Sequence, residues 1–169
     1  MGTMPRNHLP MPRNHLPALT AENAFFWRAG EQGVLRFMRC QACGHYVHPP
    51  LPICPVCKCR DVRDEAVSGK ATILAHTINH QVWEPGLEAP YVIAIVEMDE
   101  QSGLRLTTNI VNCDIQAVAI GMRVRVLFEQ CLDVWLPLFE PDPSSNEADP
   151  GSGAATSAQS ARSNTAAKP

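Results

Sequence analysis

The alternation of apolar and polar positions predicts a chain built mainly from short β-strands. Tyr91–Met98 is an apolar run of strand length, and the turn-forming residues 99–103 separate it from a hairpin partner. Residues 71–83 are predicted as a long strand region that places Thr72, Leu74, His76 and Ile78 on one face. The full set of predicted strands covers residues 34–39, 71–83, 91–98, 104–111, 122–128 and 134–139.

The last five of these strands predict a small closed barrel. A single helical turn over residues 115–120, capped by Asp114, is expected between the third and fourth of them. Pro137 interrupts the final strand, which places that strand at an edge. Five short strands with a helical turn before the fourth are typical of an OB-fold barrel.

A short helix is predicted ahead of the strands. Thr20 is the expected N-cap, Glu22 favours the first turn, and Gly30 suits the position after the last turn. Three consecutive aromatic residues, Phe25, Phe26 and Trp27, cannot all point to one side of a helix this short. At least one is therefore expected to contact a second surface.

The two ends of the chain differ in composition from its centre. Residues 4–10 and 11–17 both read MPRNHLP, a perfect duplication that we interpret as tag-like or duplicated and disordered. Residues 141–169 lack aromatic and large aliphatic residues, so a disordered tail is expected. The predicted division is 1–18 N-terminus, 19–34 helix, 35–66 zinc ribbon, 67–140 OB-fold domain and 141–169 tail.

Four of the seven cysteines form two CxxC motifs with the spacing of a metal site. Cys40 and Cys43 are separated by ten residues from Cys54 and Cys57. Two such turns present four thiolates, which suits a tetrahedral structural Zn²⁺ ion in a rubredoxin-like ribbon. Iron is the rival: Gly44 follows the first motif as in rubredoxin, but Lys58 replaces the second glycine, which favours zinc.

The remaining metal-capable side chains are interpreted as structural. Cys59 is a bystander unless the turn is distorted, and Cys113 and Cys131 are expected to be small buried residues. His45 and His48 are assigned to the loop between the motifs. His76 and His80 lie too far apart along one strand to share a metal ion.

Charge distribution bears on the class of partner. The chain has a net charge of −3, and residues 71–140 contain three basic and nine acidic residues. An acidic barrel disfavours the alternative function of a zinc-ribbon and OB-fold nucleic-acid-binding module. No apolar run is long enough to span a membrane, and metal-type cysteine spacing without a signal segment indicates the cytoplasm.

No nucleophile, acid–base pair or phosphate-binding loop stands out, so catalysis by this chain alone is not expected. Asp99 and Glu100 are interpreted as a solvated hairpin tip.

Taken in order, these features resemble a known family. The aromatic helix, the Cys₄ ribbon, Tyr91–Met98 with its flanking residues, and the IGMRV segment at residues 120–124 are similar to the zinc-ribbon and OB-fold proteins associated with acyl-CoA enzymes. The resemblance covers roughly residues 22–139. Lys70 and Ala71 replace the family's usual glycine-containing strand opener.

The resemblance implies a non-catalytic accessory subunit of a hetero-oligomer. Its implied partner is a thiolase-superfamily protein (a ketothiolase, thiolase-like aldolase or acyltransferase) or a MaoC-like hydratase, which supplies the catalytic residues. The small subunit is implied to stabilise that partner and to assist acyl-CoA binding.

Two residue sets are candidates for contacts in such a complex. The aromatic candidates are Phe25, Phe26, Trp27, Trp83, Trp135 and Phe139. The basic candidates for contacts with the CoA phosphates are Arg36, Arg39, Lys58, Arg60 and Arg63.

Overall fold

The computed structural model describes residues 16–83 and 89–144, which form one short α-helix and eight strands. The helix α1 spans Ala24–Arg28 and continues into a 3-10 turn at Ala29–Gln32. The strands are β1 (Leu35–Cys40), β2 (Tyr46–Val47), β3 (Val62–Val67), β4 (Lys70–Asn79), β5 (Tyr91–Met98), β6 (Arg105–Ile110), β7 (Arg123–Cys131) and β8 (Val134–Pro141).

The strands form a three-stranded ribbon sheet and a closed barrel. The ribbon sheet has the order β2-β1-β3, and the barrel has the order β4-β5-β6-β8-β7. A second 3-10 turn, Ile115–Ala117, lies between β6 and β7, and the Asp114 carboxylate accepts a hydrogen bond from the backbone N–H of Gln116. The predicted fold class, a mainly β chain with a Cys₄ ribbon and a five-stranded OB-fold barrel, is confirmed.

One hydrophobic core joins the helix, the ribbon and the barrel. Phe26 of α1 and Phe37 of β1 belong to the same buried cluster as Ile73, Val96 and Phe139 of the barrel. Tight burial of apolar side chains from all three parts stabilises their relative position. The ribbon is therefore packed onto the barrel rather than carried as a separate module.

The predicted caps of the N-terminal helix are wrong. Asn23, not Thr20, is the N-cap of α1, and Gly33, not Gly30, adopts the left-handed conformation that ends the 3-10 turn, with φ of 68°. Gly30 is required for another reason. A Cβ atom there would lie 2.4 Å from Trp135 Cβ and 2.5 Å from Phe128 Cδ1.

The predicted face of β4 is also wrong, because a β-bulge interrupts its alternation. The pairing with β5 shifts between Ile73 and Ala75. His76 pairs with the buried Ala94, whereas Thr72 pairs with Glu97, so His76 and Thr72 lie on opposite faces. One extra residue in a strand reverses the direction of every side chain after it.

Pro137 does not place β8 at an edge. β8 pairs with β7 along its length and with β6 at Phe139. The Pro137 carbonyl oxygen faces β6 and accepts a hydrogen bond of 2.8 Å from the Thr108 hydroxyl. The residue is tolerated in a closed barrel because the ladder with β7 does not require an N–H at that position.

The described residues include only part of each predicted terminal segment. β8 reaches Pro141 and Asp142 is buried, so the described structure continues past the predicted boundary at residue 140. The expectations for residues 1–15 and 145–169 fall outside the described residues. Within the described ranges, no helix has the length and apolar character needed to cross a bilayer.

Candidate metal centre and surrounding surfaces

The two CxxC turns bring four sulfur atoms into one cluster. The Sγ atoms of Cys40, Cys43, Cys54 and Cys57 all lie within 4.8 Å of one another. Cys40 and Cys57 are 3.5 Å apart, and Cys43 and Cys54 are 3.6 Å apart. Four sulfurs at about 2.3 Å from a tetrahedral Zn²⁺ are about 3.8 Å from one another, so the cluster fits a structural metal ion.

The two turns have the same backbone structure. The N–H of Gly44 donates to the Cys40 carbonyl at 2.9 Å, and the N–H of Lys58 donates to the Cys54 carbonyl at 3.0 Å. Both Gly44 and Lys58 are left-handed, with φ of 74° and 62°. Lys58 thus adopts the conformation that glycine provides in the first turn.

Backbone N–H groups favour the thiolate form of the inner cysteines. The backbone N–H of Cys43 lowers the pKa of the Cys40 thiol to about 6. The backbone N–H of Cys57 likewise lowers the pKa of the Cys54 thiol. Cys40 and Cys54 are buried while Cys43 and Cys57 are exposed, so the centre has an inner and an outer side. Thiolates are the form that binds metal.

The choice of zinc over iron does not follow from Lys58. Since Lys58 reproduces the left-handed conformation, the second turn is compatible with either metal. Within the described ranges the metal-capable cluster contains these four cysteines and not Cys59 or His45. The Cys59 sulfur instead accepts a hydrogen bond from the backbone N–H of Asp61 at 3.4 Å.

Most of the aromatic candidates contribute to the core. Phe26 and Phe139 are buried, and Phe25 and Trp27 pack against the same cluster. Trp135 is half-buried, and its Cβ atom lies close to Gly30. Trp83 differs, since 71% of it is exposed and its indole N–H donates to Asn79 Oδ1 at 2.9 Å.

The basic candidates fall into two groups. Three arginines form ion pairs across or along the ribbon sheet: Arg36 with Asp64, Arg39 with Glu65, and Arg63 with Asp61. Lys58 donates to the Pro55 carbonyl at 2.7 Å, and neither Lys58 nor Arg60 forms an ion pair with another described residue. The paired arginines are therefore less available to an anionic ligand.

His48 and His76 are both partly buried: His48 lies in the loop after β2, as predicted, and His76 lies in β4. His48 packs between Phe26 and Phe37, with ring centroids 5.3 Å and 5.0 Å away. Burial lowers the pKa of His48. His76 shares a row with buried Ala94, and its Nδ1 atom is buried without a hydrogen-bond partner among the described residues.

The turn between β5 and β6 is not a free hairpin tip. The Asp99 carboxylate pairs with the Arg123 guanidinium, and Glu100 Oε1 accepts from the backbone N–H of Ser68 at 2.6 Å. The Gln101 side chain hydrogen-bonds both backbone groups of Tyr46. The turn connects the barrel to the ribbon, a contact that no local sequence signal indicates.

Two family models match the chain. Residues 27–63 match the model described as ChsH2, rubredoxin-like zinc ribbon domain, and residues 64–129 match ChsH2, C-terminal OB-fold domain. The two matched ranges are contiguous, and the zinc-ribbon match contains all four cysteines of the candidate metal centre.

Curated relatives fall into two kinds. A probable enoyl-CoA hydratase alpha subunit of Thermomonospora curvata is 36% identical over 125 residues, covering 73% of this chain and 39% of the relative. A DUF35 domain-containing scaffold protein of Methanocaldococcus jannaschii is 36% identical over 107 residues, covering 62% of this chain and 74% of the relative. The chain thus spans about two fifths of the hydratase subunit and most of the scaffold protein.

A solved structure gives a matching fold. The Ltp2-ChsH2(DUF35) aldolase contains a chain that is 35% identical, with a TM-score of 0.67, and the match covers 75% of this chain and 98% of that chain. A DUF35-family protein of Sulfolobus solfataricus matches with a TM-score of 0.53 at 18% identity, which supports the fold alone.

Proposed function

The chain belongs to the DUF35 family of ChsH2-type zinc-ribbon and OB-fold proteins, and we propose that it is a non-catalytic accessory subunit of an enzyme complex of acyl-CoA metabolism. Zn²⁺ bound by Cys40, Cys43, Cys54 and Cys57 holds the ribbon in shape. The reaction is carried out by a partner chain. The partner is a thiolase-superfamily protein, with a MaoC-like hydratase as the second possibility.

The observation that carries this proposal is the extent of the structural match. Nearly the whole DUF35 chain of the aldolase structure, 98% of it, superposes on this protein at 35% identity. A scaffold protein and a hydratase alpha subunit are also related to it. Relatives named as part of an aldolase, as a hydratase alpha subunit and as a scaffold protein support a role in assembly rather than in one particular reaction.

The coupling of ribbon and barrel suits an assembly role. Phe26 of α1 contacts Phe37 of the ribbon, and Gln101 of the barrel hydrogen-bonds Tyr46 of the ribbon. A rigid two-part body presents preformed contact surfaces, which reduces the ordering cost of association.

We further propose that an acyl-CoA thioester lies at the interface between this chain and its partner. The name of the hydratase relative, a probable enoyl-CoA hydratase alpha subunit, supports a link to acyl-CoA substrates. The contribution of this chain is then to stabilise the partner and to complete its acyl-CoA entrance, while the reacting groups belong to the partner.

The arginines of the barrel disfavour a nucleic-acid-binding function. Each forms an ion pair with a neighbouring carboxylate: Arg105 with Glu97, Arg123 with Asp99, and Arg125 with Glu140. Phosphate binding along the barrel would require these pairs to break.

Co-purification from the native host tests the proposal. The tagged protein is isolated at moderate salt, its co-eluting chains are identified by mass spectrometry, and its metal content is measured. We expect a stoichiometric thiolase-superfamily or hydratase chain and about one zinc ion per copy. A protein that carries zinc but no enzyme partner, or that carries nucleic acid instead, would contradict the proposal.

A further inference from the structure

The segment around the second CxxC turn carries exposed apolar and basic side chains. We define the ribbon tip as Leu51, Val56, Lys58 and Arg60, which lie between β2 and β3. Leu51 is 44% exposed and Val56 is 62% exposed, and both basic residues are exposed. The exposed parts of these two apolar side chains do not contribute to the core of the ribbon.

The two basic side chains of the ribbon tip have no carboxylate partner among the described residues. Residues 40–60 include no aspartate or glutamate. The ribbon's other arginines are paired with carboxylates of β3 or the residue before it, whereas Lys58 and Arg60 form no ion pair within residues 16–83 and 89–144. The carboxylates that pair with the other arginines of the ribbon thus lie within residues 61–65, outside the tip.

Lys58 occupies a position where glycine costs less. Its φ of 62° is left-handed, and the equivalent residue of the first turn is Gly44. A left-handed conformation is disfavoured for a residue with a side chain. The CxxC turn imposes this conformation through the hydrogen bond from the Lys58 N–H to the Cys54 carbonyl, and the Lys58 side chain remains exposed beside the metal centre.

The backbone around the ribbon tip is stiff. Pro49, Pro50, Pro52 and Pro55 restrict it, and the metal centre fixes the turn at Cys54 and Cys57. A surface held in one conformation loses little entropy on binding.

We propose that the ribbon tip docks onto the partner subunit, at an apolar patch bordered by acidic side chains. This inference rests on the proposed function, since it assigns a surface to the contact with that partner. Leu51 and Val56 supply the apolar contact, and Lys58 and Arg60 pair with carboxylates at its rim. Charge complementarity of this kind fixes orientation and raises the association rate.

Charge compensation at the metal centre is the alternative role for Lys58 and Arg60, and it predicts a different result. Four thiolates around Zn²⁺ leave a net charge of −2, and nearby Lys58 and Arg60 offset it. If that is their role, reversing their charge lowers zinc affinity. If they contact the partner, the zinc remains bound and the partner is lost.

The test uses the full chain and the purified enzyme chain identified by co-purification. Two double variants, Lys58→Glu with Arg60→Glu and Leu51→Ser with Val56→Ser, are compared with wild type by titration calorimetry. Arg28→Glu is the matched control, because Arg28 is exposed and forms no ion pair with another described residue. Zinc content and thermal unfolding are measured for every variant.

We expect both double variants to retain zinc and to bind the partner at least about 10-fold more weakly, while Arg28→Glu binds as wild type does. Unchanged affinity in the double variants would overturn the inference and leave the proposed function intact. Zinc loss in the charge-reversed variant would also overturn it, as would Lys58-dependent binding of CoA to the isolated chain. A wild-type chain that binds no enzyme partner refutes the proposed function itself.

Discussion

The Gln101 side-chain amide forms two hydrogen bonds with the backbone of Tyr46. Its Oε1 accepts from Tyr46 N at 2.8 Å, and its Nε2 donates to Tyr46 O at 3.1 Å. Gln101 lies in the turn between β5 and β6 of the barrel, and Tyr46 begins β2 of the ribbon. The Gln101 side-chain amide therefore pairs with the Tyr46 backbone as a residue of a neighbouring strand would. This pairing couples the barrel to the ribbon.

Replacing Gln101 with alanine is expected to lower the free energy of unfolding. Tyr46 is buried, so the loss leaves backbone groups without partners at a cost of about 1–3 kcal/mol. Urea denaturation at neutral pH measures the difference. Ser102→Ala, at the exposed next residue of the same turn, is the control and should unfold as wild type does. Equal stability of the Gln101 variant would mean that water replaces the amide.

Two glycines in the N-terminal segment are expected to respond differently to alanine. Gly30→Ala forces a Cβ into Trp135 and Phe128, and such overpacking costs about 1–3 kcal/mol. Gly33→Ala meets no atom within 4 Å but strains a left-handed backbone. Gly33→Asn should therefore restore most of the stability lost in Gly33→Ala, because asparagine tolerates this conformation.

At Gly30 any Cβ atom clashes with Trp135 and Phe128, so no other residue there restores the stability that Gly30→Ala loses. Thermal unfolding of the variants checks this distinction. A Gly30→Ala variant as stable as wild type would contradict the close packing of the 3-10 turn on β7 and β8.

The sequence predicted those features that depend on neighbours along the chain. The bounds of β5, the Asp114 cap and the two CxxC turns all follow from local patterns. The contact of Gln101 with Tyr46 spans 55 positions, and nothing in either segment indicates it. The same is true of Gly30, whose neighbours Phe128 and Trp135 come from the other end of the chain.

Other errors came from rules that tertiary structure overrides. A strand with regular alternation was predicted through Leu74, but a bulge there reverses the face of His76. Lys58 favoured zinc over iron in the sequence, because glycine is the usual left-handed residue at this position of a rubredoxin turn, yet the lysine adopts that conformation. Surrounding hydrogen bonds can impose a conformation that residue preference disfavours.

Loss of the metal is expected to destabilise the barrel as well as the ribbon. Cys40→Ser removes an inner ligand, and the free energy of metal binding is part of the folding free energy of such a ribbon. Because Phe37 and Tyr46 belong to the shared core, the barrel loses contacts when the ribbon unfolds. A chelator should reproduce the effect on wild type.

Cys59→Ser is the matched control for that experiment. Cys59 lies outside the four-sulfur cluster, so this variant should retain about one zinc ion per chain and a wild-type melting temperature. Metal analysis and circular dichroism provide the two readouts. Zinc loss from Cys59→Ser would show that Cys59 takes part in the centre.

His48 is expected to make stability depend on pH. Burial between Phe26 and Phe37 lowers its pKa below the unfolded value of about 6.5. Between the folded and unfolded pKa values the unfolded chain binds more protons, so stability increases with pH in that range. The stabilising contribution is complete above about pH 6.5 and is lost as pH falls through the folded pKa.

The free energy of unfolding, measured in urea at several pH values below and above neutrality, tests this sign. Thiolate protonation and metal release also weaken the protein at low pH, so the informative quantity is the difference between wild type and His48→Leu. That difference should shift in favour of His48→Leu as pH falls, because leucine binds no proton in either state. Substituting the exposed His80 with glutamine should leave the wild-type profile unchanged. A His48→Leu profile parallel to that of wild type would mean that His48 is protonated as readily in the folded protein as in the unfolded chain.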